Sequence, residues 1–156
     1  MKNNYIIVGK IDMEIFKNIS YNLITDEVIL TNERYLHIIE GHKEDFMIYS
    51  NILSQIIIEL NYILEDYKNK YTVMVIKKVE NNNNINVIIR LAIGEDLIHN
   101  KNSIMTMYRI REKNLKKLMQ KNISVKKFRM KILKIIIDTI NRYSKLRDFS
   151  LSFVLS

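Results

Sequence analysis

Three segments between Tyr71 and Ile110 constrain this chain most. Tyr71-Thr-Val-Met-Val-Ile-Lys77, Asn86-Val-Ile-Ile-Arg-Leu-Ala-Ile93 and Ser103-Ile-Met-Thr-Met-Tyr-Arg-Ile110 are dense in β-branched and other apolar residues. That composition suits strands packed on at least one face. Asn81-Asn-Asn-Asn84 is a polar turn, so the first two segments read as a hairpin, and Gly94–Lys101 is a loop before the third. The period ahead of them is helical. The layout is therefore α+β: N-terminal helices on one face of an antiparallel meander.

Tyr5–Asp12 reads as a short strand with Gly9 as a bulge, and Glu14–Ile24 fits either helix or strand. Val28-Ile-Leu30 is a buried run. Thr31 then suits an N-cap, with Glu33 in the first turn where a carboxylate favours the helix dipole. That helix carries Tyr35, Ile38 and Ile39 on one side and is expected to end near Gly41 as C-cap. Ile48, Ile52, Ile56, Leu60 and Ile63 predict a second helix within Phe46–Leu64, opening near Ser50 or Asn51. Leu115 and Leu118 predict a helix over Glu112–Lys121. Phe128, Ile132, Ile135, Ile136, Ile140 and Tyr143 predict an extra C-terminal amphipathic helix over Lys126–Tyr143, and alternation from Phe149 to Leu155 suits a short strand.

With 156 residues, 47% of them hydrophobic, the chain can bury one domain's core. The absence of cysteine rules out disulfides and thiolate zinc sites. The N-terminal apolar run is too short for a signal peptide, and no segment reaches the ~18 apolar residues of a membrane span. A soluble cytoplasmic protein is expected. The net charge of +8 is uneven: residues 1–60 carry 5 basic and 9 acidic side chains, residues 61–122 carry 12 and 6, and residues 123–156 carry 8 and 2. The basic stretch Lys101–Lys121 suits a polyanion partner, and equally a solvated helix face.

Two of the three histidines, His37 and His42, follow Arg34 closely. Histidine can both take and give a proton near neutral pH. Arg34 and His37 share a helix face, and a break at Gly41 can turn His42 toward the same side. The two rings would then flank one phosphate as general base and general acid. The bland alternative is a half-buried His37 and a surface His42. The pair lacks the spacing of a helical zinc motif, so no metal or cofactor is expected. Lys77 and Arg90 sit at the ends of paired strands, where a cation can stabilise a phosphoryl oxyanion or simply face solvent. Strand alternation lets only one of Lys77 and Lys78 line such a site. Ser103 and Thr106 can donate to a phosphate, or cap the loop. His99, in a polar loop, has no assigned role.

In order and spacing, these blocks resemble the phage-associated branch of the barnase–EndoU–colicin–RelE-like (BECR) nucleases. The resemblance rests on Val28-Ile-Leu-Thr-Asn-Glu-Arg34 with His37 and His42, Asn61-Tyr-Ile-Leu-Glu65, Tyr71–Lys77, Val87-Ile-Ile-Arg-Leu91 and Lys101-Asn-Ser-Ile-Met-Thr106. It implies N-terminal helices on a four-stranded antiparallel sheet, and metal-independent cleavage of RNA through attack of the ribose 2′-OH on its own phosphate. His37, His42, Lys77, Arg90 and Thr106 would be catalytic. Arg34, Asn102, Ser103 and Arg109 would bind substrate. The nuclease domain would occupy residues 1–122, and residues 123–156 would be a divergent basic tail replacing the family's closing strand. Partners would be an RNA substrate and a cognate inhibitor protein. A different class of reading is a catalytically silent RNA-binding or phage-particle-associated domain of the same fold.

Overall fold

The computed structural model describes residues 4–17, 19, 22–96, 98–121 and 135–148. Asn81 and Asn82 both adopt left-handed backbone angles, φ 58° and 57°. Asn tolerates that region, and two such residues in succession form the tight turn whose twist matches a hairpin. Asn83 N–H donates to Glu80 O at 3.3 Å and closes it. The turn joins β4 (Thr72–Lys78) to β5 (Asn83–Arg90), antiparallel from Thr72 opposite Arg90 to Lys78 opposite Asn84. β6 (Asn102–Arg111) pairs with the other side of β5.

The sheet extends beyond the meander. β1 (Tyr5–Lys10) and β2 (Glu27–Thr31) form an antiparallel pair with the expected irregularity between Ile7 and Gly9. β2 then adds in parallel to the start of β6, Val28 beside Asn102 and Ile29 beside Ser103. β3 (Tyr62–Glu65) closes the far edge against β4, giving the order β1-β2-β6-β5-β4-β3. The architecture is α+β with a six-stranded mixed sheet, in place of the four antiparallel strands expected.

Two predicted helix boundaries move. α2 (Asn32–Tyr49) starts on Thr31, whose hydroxyl accepts from Arg34 N–H, but it runs through Gly41. Gly41 has no left-handed angle, and His42 (φ −141°, ψ 37°) kinks the helix and lets it continue. The predicted second helix is only α3 (Leu53–Ile58), entered through a 3₁₀ turn over Ser50–Ile52. The helical spacing at Leu60 and Ile63 is overridden because Tyr62, Ile63 and Leu64 are buried by pairing with β4. Asp12 caps a one-turn α1 (Met13–Phe16) within the ambiguous stretch, and Phe16 is fully buried.

The faces of the sheet differ. Val73 and Val75 of β4, Ile85, Val87 and Ile89 of β5, and Ile104 and Met107 of β6 pack with Phe16, Ile38, Leu53, Ile56 and Ile57 into the core. The alternate residues form the opposite face: Thr72, Met74 and Ile76; Asn84, Asn86, Ile88 and Arg90; Ser103, Thr106 and Tyr108. A bulge at Met105, between Ile104 and Thr106 in the ladder, lets Ser103 and Thr106 share that face despite being three apart. α4 (Glu112–Lys121) starts beside it, Glu112 accepting from Asn84 Nδ2 at 3.0 Å.

The chain divides into two compact units, residues 1–122 and 123–156. In the second, residues 135–148 are helical, with Ile135, Ile136, Ile140 and Tyr143 exposed. The earlier part of the predicted tail helix and the strand over Phe149–Leu155 lie outside the described residues. Among those described, no helix is long and apolar enough to cross a membrane.

Candidate active site

Arg90 ends β5 on the face opposite the core, beside Thr72 on one neighbour and Ser103 on the other. Directly paired residues carry their side chains side by side. The loop that follows brings Asp96 back over this row. Arg90 Nη2 donates to Asp96 Oδ2 at 2.7 Å, and His99 Nδ1 lies 3.1 Å from the same oxygen. Guanidinium and imidazole nitrogens bound to one oxygen lie within about 6 Å of each other.

The Asp96 side chain is 6% exposed, against 28% for Arg90 and 40% for His99. The carboxyl is thus enclosed and the imidazole faces out. The hydrogen bond from Arg90 holds Asp96 below the usual carboxylate range; burial opposes this, and the Ile98 N–H and His99 assist it. Asp96 is therefore an acceptor only. An acceptor at this distance favours the His99 tautomer that carries its proton on Nδ1, in which Nε2 is the acceptor. This is how a carboxylate orients a histidine base. Beside them, Arg90 Nε and Thr106 Oγ1 are buried without a hydrogen-bond partner among the described residues.

The other sequence-predicted residues disperse. Lys77, expected beside Arg90, stands five positions along β4 and on the opposite face, its Nζ donating to Glu59 O at 2.8 Å and lying 3.4 Å from Glu59 Oε2. Strand alternation separates the two cations. Asn102, expected on substrate, is fully buried: its Nδ2 donates to Thr25 O and Glu27 O, and its Oδ1 accepts from Ala92 N–H. It braces three chain segments. Arg109 is engaged by Asp45, which accepts from its backbone N–H at 2.8 Å and from its Nε at 2.5 Å. Arg34 lies 3.9 Å from Glu33, and His37 is exposed.

His42 follows Arg34 and the buried Ile38 at i+8 and i+4, so it, and not His37, turns toward the sheet. Its ring lies 5.2 Å from that of Tyr108, whose hydroxyl accepts from Asn86 Nδ2 at 3.0 Å. Tyr108 and Asn86 are four ladder steps from Arg90, about 13 Å. The pocket at His42 is mixed in charge, lined by Glu40, Glu44 and Asp45 together with Lys43 and Arg109. The structure thus brings together Arg90, Ser103 and Thr106, with His42 apart from them, against Tyr108 toward the other end of the sheet.

Asp96 and His99 are the functional candidates that the sequence did not reveal. Their signal is an Asp-x-x-His turn shortly after a strand-terminal arginine, a spacing that carries meaning only once the loop is known to fold back. Among the described residues, no three His, Asp or Glu side chains cluster as metal ligands. No protein-family model, curated protein or solved structure matches this chain.

Proposed function

We propose that this protein is a metal-independent endoribonuclease of the BECR type, cutting RNA by 2′-OH transesterification at the Arg90–Asp96–His99 cluster. The observation that carries the reading is the carboxylate shared by a strand-borne arginine and an outward-facing histidine. His99 Nε2 takes the proton from the ribose 2′-OH as its oxygen attacks the adjacent phosphorus. Arg90 neutralises the charge gathering on the phosphorane, and the hydroxyl of Ser103, directly beside Arg90 in the ladder, is near enough to donate to its oxygens. The bond to the 5′-oxygen breaks, leaving a 2′,3′-cyclic phosphate. His42 lies about 13 Å along the sheet, so water protonates the leaving oxygen. DNA lacks the attacking hydroxyl and is not cut.

The test is cleavage of a mixed RNA pool in EDTA with product ends mapped. Wild type is expected to leave cyclic phosphates, His99→Ala to lose about 10²-fold or more in kcat, and His42→Ala to stay within a few-fold of wild type. Loss of cleavage in His42→Ala with His99→Ala unaffected would move the site to the other end of the sheet. RNA retention without cleavage by any variant would favour the silent RNA-binding domain.

A further inference from the structure

Tyr71 is a bulky aromatic residue held at φ 61°, a backbone region that such residues rarely occupy. The conformation is locked from two sides: Leu91 N–H donates to Tyr71 O at 2.8 Å, and Thr72 N–H donates to Asn69 O at 3.2 Å. Asparagine or glycine would satisfy this turn without strain; the Tyr71 ring, half-buried, packs one side against the core and leaves the rest at the surface. Strain of this kind concentrates where a side chain serves a ligand.

Tyr71 borders a cleft of about 460 Å³ at the β3–β4 end of the sheet, a size suited to a small ligand. The floor is apolar, formed by the buried Val73, Leu91 and Ile93. The rim carries Lys68 and Lys70. Asp66, also on the rim, is engaged by the turn, accepting from Lys68 N–H and Asn69 Nδ2; Glu65 is the other carboxylate of the lining. Lys70 Nζ lies 4.7 Å from the centre of the Tyr71 ring. The Lys70 ammonium is stabilised chiefly by Tyr71, with smaller contributions from Glu95 and Asp96, so the cleft lies within electrostatic reach of the carboxylate that binds Arg90 and His99. Thr72, its neighbour on the lining, stands directly beside Arg90 in the ladder.

We propose that this cleft is a mononucleotide subsite, with the base against Tyr71 and the apolar floor and its phosphate on Lys70. Its role in choosing the nucleotide beside the cut rests on the ribonuclease reading; its binding of a nucleotide does not. A π-face over an apolar floor receives any base, and a cation at the rim tracks the backbone.

The test titrates ¹⁵N-labelled protein with uridine 3′-monophosphate, adenosine 3′-monophosphate, uridine and inorganic phosphate, with RNA cleavage measured in parallel. A mononucleotide is expected to shift the amides of residues 68–73 and 91–93 saturably and to bind at least about tenfold more tightly than phosphate alone. Tyr71→Asn relieves the strained angle but gives up the ring's packing on the core, so its fold is checked by its amide spectrum, and it should bind about tenfold more weakly. Lys70→Ala, which leaves the turn backbone untouched, should weaken binding about fivefold. On RNA both substitutions should raise KM more than they lower kcat. Shifts confined to other residues, or wild-type affinity in both variants, overturn the subsite. Mononucleotide binding here without RNA cleavage supports the subsite and strikes the nuclease reading. Cleavage with unchanged KM in both variants does the reverse.

Discussion

Asp96 sets the behaviour of this site at the scale of one residue. Arg90 depresses its pKa, so the interaction stabilises the fold above the ordinary carboxylate range and is lost as pH falls through the lowered value. Asp96→Asn should therefore flatten the acid limb of a Tm-against-pH profile below about pH 4 while lowering the plateau at neutral pH. An unchanged acid limb would mean that the Arg90 contact does not persist in solution. Arg90 was legible in the sequence as a cation on an apolar strand. What was not legible was its face, because choosing between Lys77 and Arg90 depends on the register of a sheet that no local pattern reports. Asn102 was misread for a related reason: a polar residue at a strand start looks the same whether it meets a substrate or, as here, three buried backbone groups.

At the scale of elements, local chemistry decided most of what could be read. The Asn81–Asn82 turn, the Thr31 cap and the bulge near Gly9 each follow from side chains within a few residues. The failures were decided at a distance. Tyr62–Leu64 is a strand because β4 is there to pair with it, and α2 passes Gly41 because the kink at His42 keeps Ile38 and Phe46 against the core. This yields a test of sign. Gly41 lies inside a helix with nothing within 4 Å of where a Cβ would stand, so Gly41→Ala should raise stability by about 0.5–1 kcal/mol in urea unfolding. A left-handed C-cap glycine at this position would give a loss instead.

At the scale of the molecule, the buried apolar residues described run from Ile11 to Leu115, all within the unit that ends at Asn122. A chain stopped at Asn122 should then unfold cooperatively and give a dispersed amide spectrum; a collapsed spectrum would mean that the second unit is needed for folding. Within the first unit, the parallel pairing of β2 with β6 also fixes a timetable. The Glu27–Lys101 ion pair that flanks it joins residues 74 apart in sequence. Contacts of such separation slow folding, since the loop between them must close before they form. During synthesis β1 and β2 leave the ribosome long before their partner, with Ile6 and Ile7 still exposed even in the finished fold. Residues 5–31 are thus made well before the strand that seats them, and translation speed, as much as sequence, governs how long that hairpin waits uncovered.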